Sequence, residues 1–300
     1  MSIVINTPSG HIGHVLAKIL LDVGQKVTII SRNPDKVQSL TSRGARLVQG
    51  SIDDENTLRQ AFAGQKAVFW VTPPPVRPDF AEWNGATARM AAEIARAAGV
   101  ERAVMLSSLL ADSGPGAGPI STLFDVEMAF NRRIPHAVAL RAGYFMENFL
   151  HDIPGILSGT VYSGVNPDRA FPIVATRDIA YKAASFLLSQ DWVGHKVVGV
   201  HGPVHMNLRD CYAQIAEGLG RPVNLVSVPV EGVRAAMLGM GMPEFMVTGY
   251  CDMFSAFNSD RPDFAEPRTA ETTTHTTLRS FVRKILAPAV ESAAAQKAQS

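Results

Sequence analysis

The sequence predicts an α/β protein: a Rossmann-like, doubly wound parallel sheet joined to a smaller mixed α/β part. Three observations predict it. Short apolar, β-branched runs alternate with helical patterns as far as Arg141, the order that builds a parallel sheet with helices on both faces. A glycine-bearing turn, Thr7-Pro8-Ser9-Gly10-His11-Ile12-Gly13, links the first such run to the first helical stripe. The chain has 300 residues, 46% apolar and 18% charged, enough to bury a large core without covalent or metal staples.

Each element has its own local reason. Ile3–Asn6 is an apolar run and is predicted as a strand. Ile12, Val15, Leu16, Ile19 and Leu20 fall on one helical stripe that Gly24 stops. Lys26–Ser31 is the second strand, Asn33–Arg43 a helix and Ala45–Gln49 the third strand. Asp54–Ala63 is a short helix that Asp53 or Asp54 can cap. Ala67–Thr72 is a continuous apolar run of the kind buried on both faces. Asp79–Ala98 is helical and ends at Gly99. Arg102–Ser107, the helix Ile120–Asn131 and His136–Arg141 complete the series. Right-handed crossovers wind these strands into an open sheet whose ligands sit beyond the carboxyl ends of the strands.

Past about residue 150 the alternation loosens. Thr176–Ser189 reads as a helix and Lys196–Val200 as a strand, both expected to rejoin the first sheet. Leu208–Leu219 is a further helix, Pro222–Val228 a strand and Leu278–Ile285 a late helix, with the Ala-rich tail a frayed helix end or disordered. The expected division is a nucleotide-binding part over 1–152, rejoined by about 173–202, and an interwoven substrate part over 153–300.

Charge and cysteine content exclude several classes. Twenty-eight basic and 27 acidic side chains leave a net charge of +1, too little to drive binding to nucleic acid or an anionic membrane. Two cysteines, Cys211 and Cys251, make neither a disulfide framework nor a cysteine zinc site, and a reducing cytoplasm is the expected setting. Met1-Ser2 leads straight into Ile3-Val4-Ile5, with no targeting segment, and no run reaches the roughly 18 apolar residues of a membrane span. His201 and His205 are four apart, but Gly202 and Pro203 between them forbid a shared helix face, so no metal site is expected.

The turn after the first strand carries the chemistry. Dinucleotide folds place glycines there for a tight turn, for close approach to pyrophosphate and for close helix–strand packing. Gly10 and Gly13 keep the spacing of the last two such glycines, and Thr7 stands where the first is usual. The following helix N-terminus offers free N–H groups to phosphate. The second strand ends in Ser31-Arg32-Asn33, where an acid would suit ribose hydroxyls and a basic fork suits a 2′-phosphate; this favours NADP(H) over NAD(H).

With the turn TPSGHIG, the strand end SRNP, the segment LRAGYFMENF over 140–149 and the closing stretch PRTAETTTHTTLRSFVRKILAP at 267–288, the chain resembles the NmrA-like family of atypical short-chain dehydrogenases. That family includes quinone-oxidoreductase-like and azoreductase-like members and redox-sensing regulators. The resemblance implies that Gly10, His11, Ile12 and Gly13 meet the pyrophosphate and that Arg32 meets the adenosine phosphate. It places Ser51 and Ile52 by adenine, Thr72 and Pro73 along the ribose, and Gly143, Tyr144 and Phe145 near the nicotinamide. Thr7 departs from the family's usual glycine, which bears on cofactor affinity rather than on the fold.

Ordinary short-chain dehydrogenases use a tyrosine with a lysine four residues later to move a proton. The matching stretch here is Ser121-Thr122-Leu123-Phe124-Asp125-Val126-Glu127, and none of the five tyrosines starts a Tyr-x-x-x-Lys. Hydride transfer to a quinone, azo dye or enone needs less help from an acid, because charge delocalises in the acceptor. The implied function is NADPH-dependent reduction of such an aromatic acceptor; the alternative is a non-catalytic NAD(P) sensor acting through a protein partner, as monomer or homodimer. No catalytic residue is assigned. Ser107 and Ser108 can orient a carbonyl oxygen or simply cap a strand end. Tyr144 reads as an aromatic wall, Glu127 as a structural acid and Asn148 as a pin. The methionines of 237–253 can line a pocket opposite Phe145 and Phe149, or pack a helix pair.

Overall fold

The computed structural model describes residues 1–74, 76–259 and 266–299. Its first part runs β1 (Ser2–Ile5), α1 (His11–Asp22), β2 (Lys26–Ser31), α2 (Gln38–Thr41), β3 (Arg46–Gln49), α3 (Glu55–Phe62), β4 (Ala67–Trp70), α4 (Phe80–Ala97), β5 (Arg102–Ser108), α5 (Leu123–Asn131) and β6 (His136–Ala142). It continues through β7 (Tyr144–Phe145), α6 (Ile153–Ser158), β8 (Thr160–Ser163), β9 (Phe171–Val174), α7 (Thr176–Leu188) and β10 (His195–Val200). Then follow β11 (His205–Met206), α8 (Leu208–Leu219), β12 (Asn224–Ser227), α9 (Val230–Gly239), α10 (Glu244–Asn258), α11 (Leu278–Phe281) and α12 (Ala287–Gln299).

The strand order β3-β2-β1-β4-β5-β6-β10 is all parallel, so the chain reverses direction of travel between β1 and β4. Alternation along each strand feeds two cores. Ile5, Val104 and Leu140 pack with Leu16 and Ile179 on the α1/α7 face. Val4, Trp70 and Met105 pack with Phe62 and Phe130 on the other. A third core, with Phe149, Phe171, Ile215 and Phe281, lies outside the sheet. Each fully buried large side chain of this kind contributes roughly 1.5–3 kcal/mol.

The expected return to the sheet is made by β10, which pairs with β6, while α7 covers the face that α1 covers. Two sequence expectations change. The helix over 33–43 is a 3₁₀ turn, Asp35–Val37, and one α turn: Asn33 Oδ1 accepts from the Asp35 amide at 3.0 Å and Val37 leaves helical φ/ψ at −124°, 10°. The start of the helix over 120–131 is a 3₁₀ turn, Gly118–Thr122, pressed onto α10; a Cβ at Gly118 would lie 2.1 Å from the Gly249 carbonyl oxygen. The tail is helical through Gln299, and the start of α12 is held by Val290, buried in the third core. The strand over 222–228 pairs with β8, apart from the large sheet.

His201, at the end of β10, is fully buried, and neither ring nitrogen has a hydrogen-bond partner among the described residues. Burial first, then the nearby Arg268 and His205, lower its pKa from 6.5 to about 4. The unfolded chain therefore binds a proton between pH 6.5 and 4 that the folded chain refuses, so stability falls as pH drops through that window. Denaturant unfolding should show this acid slope flattened in His201→Gln, by up to about 1.4 kcal/mol per pH unit.

Candidate active site

The site forms where the sheet reverses. Asn6 follows β1, and its side chain brackets the strand beyond β4: Nδ2 donates to the Val71 carbonyl and Oδ1 accepts from the Val71 amide, both at 2.8 Å. An amide side chain thus takes the place of the ladder just beyond β1, where a crevice is expected in such sheets.

The turn from β1 to α1 lies at this edge. The Gly10 amide donates to the Thr7 carbonyl at 3.2 Å, and Gly10 stands at the helix N-cap with no side-chain capping bond. By contrast, the N-termini of α3 and α8 are capped by Asp54 and Asn207. Between the two sequence candidates Asp53 and Asp54, the cap is Asp54; Asp53 accepts from Trp83 Nε1 at 2.8 Å instead. A Cβ on Gly13 would stand 2.1 Å from the Thr7 carbonyl oxygen, so glycine is required there. At Gly10 a Cβ would meet nothing closer than 3.6 Å, and φ is −82°. Thr7 has no positive φ, so the turn accepts a threonine in place of the first glycine.

Arg32 is exposed at the end of β2 with no bonded partner among the described residues. Ser51 and Ile52 follow β3, and Thr72 and Pro73 follow β4, on the same edge. Thr72 Oγ1 is buried and unpartnered, a hydroxyl left free for a ligand. An uncapped helix end, the open approach at Gly10 and this orphaned hydroxyl together fit a dinucleotide along the edge.

Beyond β4, β5 and β6 lies a cavity of about 350 Å³. It joins Thr72, Gly143, Tyr144 and Phe145 with Ser107, Ser108 and Asn148; the other expected site residues lie outside it. Its wall also includes Tyr250, Met253, Phe254 and Phe257 from α10. These four follow the helical spacing of an apolar face, a signal present in the sequence but hidden among the methionines. Of those methionines, Met253 is the one in the wall; Met240 is 75% exposed. Phe149 is fully buried behind Tyr144, at 5.7 Å between ring centres, rather than forming the opposite wall. Gly143 has a packing reason to be glycine, since a Cβ would lie 2.5 Å from the Pro172 carbonyl oxygen.

Below the cavity sits an ionic cluster that sequence reasoning left unassembled. Leu123 lines the cavity, and Glu127, one turn on, is buried beneath it. Arg141 grips Glu127 with Nε at 3.0 Å and Nη2 at 2.9 Å, while Nη1 reaches Asp112 at 2.5 Å and Glu266 at 3.0 Å. Ser107 Oγ donates to Glu127 Oε1 at 2.5 Å. Burial works against the charge of Arg141, but the carboxylates outweigh it and hold the guanidinium firmly protonated. Burial pushes the Glu266 carboxyl up, against the pull of Arg141. Burial, with Asp152 nearby, also pushes the Tyr144 hydroxyl well above the ordinary tyrosine value, so Tyr144 is a poor proton donor.

Known proteins match this arrangement. Residues 9–136 match a family model described as NAD(P)H-binding. The chain is 31% identical over 243 residues to a (4-alkanoyl-5-oxo-2,5-dihydrofuran-3-yl)methyl phosphate reductase of Streptomyces griseus, covering 80% of this chain and 82% of the relative. It is 27% identical to an NAD(P)H azoreductase of Xenophilus azovorans, covering 82% and 84%. In structure it is similar to the NADPH-dependent quinone oxidoreductase QOR2 of Escherichia coli complexed with NADPH, with a TM-score of 0.78, 24% identity and 95% and 99% coverage. The motifs at both ends, the reversed sheet and these likenesses agree: the chain belongs to the NmrA-like family of atypical short-chain dehydrogenases, and its first part is an NAD(P)H-binding domain.

Proposed function

We propose that the protein is an NADPH-dependent reductase of a quinone or a similar conjugated aromatic acceptor. The observation that carries this is the cavity: apolar and aromatic, about 350 Å³, with no charged side chain in its described lining, and opening where the sheet presents its dinucleotide edge. Such a space takes a flat, uncharged ring. The reductase and azoreductase relatives support the same class of chemistry.

In this reading the amides opening α1, at His11, Ile12 and Gly13, hold the pyrophosphate, with Gly10 leaving the approach clear and Thr7 shaping the turn. Ser51 and Ile52 flank adenine, Thr72 and Pro73 the ribose, and Gly143, Tyr144 and Phe145 the nicotinamide. When bound, the dihydronicotinamide supplies a hydride. Phe145, Phe254 and Phe257 exclude water and stack the acceptor, while Ser108, Asn148 and Tyr250 are the polar groups placed to orient its oxygen or nitrogen. No tyrosine in the sequence is followed by a lysine four residues later, so proton delivery is left to the Ser108 or Tyr250 hydroxyl or to water.

Mixing the protein with NADPH and a panel of quinones and azo dyes tests the reading: nicotinamide oxidation above background is expected. Binding without turnover on any acceptor would instead favour the sensing role. Arg32 is proposed to meet the 2′-phosphate. Its loss in Arg32→Ala should raise the Kd for NADPH by about 10- to 100-fold, the worth of a charged hydrogen bond, and leave NADH within about twofold. Equal losses by calorimetry would remove Arg32 from that role.

A further inference from the structure

The direction of one hydrogen bond narrows the acceptor. Ser107 lines the cavity and is itself 3% exposed. The one side-chain hydrogen bond of Ser107 among the described residues goes to Glu127, 1% exposed, whose two oxygens are both held by Arg141. A carboxylate paired with guanidinium has no hydrogen to give, so the Ser107 hydroxyl must donate to it. The hydrogen of Ser107 is thus committed to Glu127, which does not line the cavity, and the hydroxyl has only acceptor lone pairs left to offer a ligand.

The charge behind Ser107 acts in the same direction. One guanidinium, Arg141, faces the carboxyl groups of Glu127, Asp112 and Glu266. Four of its five N–H groups are bonded to carboxylate oxygens, and Arg141 is not among the residues that line the cavity. Even with Glu266 protonated, one cation stands against two carboxylates. That field disfavours an anion and favours the positive end of an O–H or N–H dipole.

We infer that the cavity selects uncharged, flat acceptors that carry an O–H or N–H donor on the ring, with Ser107 Oγ receiving that hydrogen; this rests on the cavity being the acceptor site. Glu127 and Arg141 act through Ser107 and are positioning residues. Quinones with a ring hydroxyl or amino group, and hydroxy- or amino-azobenzenes, meet the description; their methylated counterparts do not.

The test is equilibrium binding to the full chain saturated with NADP⁺, so that no turnover intervenes. Two matched pairs serve as probes: 4-hydroxyazobenzene with 4-methoxyazobenzene, and 4-aminoazobenzene with 4-(dimethylamino)azobenzene. The donor-bearing member of each pair should bind about 5- to 10-fold more tightly, the worth of one neutral hydrogen bond. In Ser107→Ala that preference should collapse to about onefold, whereas a preference caused by methyl bulk would persist. Glu127→Gln, which can donate to Ser107 and turn its hydrogen toward the cavity, should weaken or invert it; if that variant fails to fold, Ser107→Ala still decides. Equal binding within the pairs, or a preference that survives in Ser107→Ala, overturns the inference while leaving the acceptor cavity intact. Failure of all four probes to bind overturns both.

Discussion

Replacing Gly13 with valine should abolish useful dinucleotide binding, weakening it by about 100-fold or more, equivalent to roughly 2.8 kcal/mol. The reason is steric and local. The first carbon of any side chain at this position would lie 2.1 Å from the Thr7 carbonyl oxygen and 2.9 Å from its carbon. Both obstacles are backbone, so relief requires α1 to move away from the turn after β1. That motion withdraws the amides of His11, Ile12 and Gly13 from the crevice. Even Gly13→Ala should act in the same direction, with about 1–3 kcal/mol of lost stability from the forced displacement. Gly10→Ala is the contrast, because its Cβ meets nothing nearer than 3.6 Å. The fold should tolerate it, and any loss of affinity there would report the close approach of the ligand rather than the packing of the helix. Calorimetry with NADPH on folded variants separates the two. Unchanged affinity in Gly13→Val would move the pyrophosphate away from this turn.

The largest stability effect is expected at Arg141. Its side chain is 5% exposed and is the sole cation bonded to Glu127 among the described residues. Arg141→Met leaves Glu127 buried with only the Ser107 hydroxyl as partner, an uncompensated charge that costs about 3–5 kcal/mol. Urea unfolding of the variant measures that loss. The double variant Arg141→Met/Glu127→Gln should recover part of it, since removing both charges removes the burial penalty along with the attraction. If the single variant unfolds at the wild-type midpoint, the cluster contributes nothing and Glu127 tolerates isolation.

The two predictions differ in how visible their residues are in the sequence. Gly13 stands out because its reason is local. A strand, a turn and a helix within a dozen residues leave one place where the backbones touch, and the spacing Gly10 to Gly13 marks it. Arg141 and Glu127 do not stand out, because their meeting depends on β6 lying beside β5 and α5 crossing beneath. Asp112 and Glu266 reach the same guanidinium from 29 residues before it and 125 residues after it in the chain.

By itself, the sequence determined the doubly wound parallel sheet, its first six strands in chain order, the turn at Gly10–Gly13 and the basic residue that follows β2. Periodicity, β-branched runs and glycine spacing are short-range signals, and they survive without knowledge of what packs where. Only the tertiary structure decided which aromatic rings wall the cavity. Tyr250, Phe254 and Phe257 are brought to it by the close approach of Gly118 to Gly249, whereas Phe149 turns into the core and most of the methionines stay outside. It also decided which way the Ser107 hydrogen points. Such outcomes depend on contacts between segments far apart in the chain, where the packing of the whole molecule, rather than any local pattern, fixes the geometry.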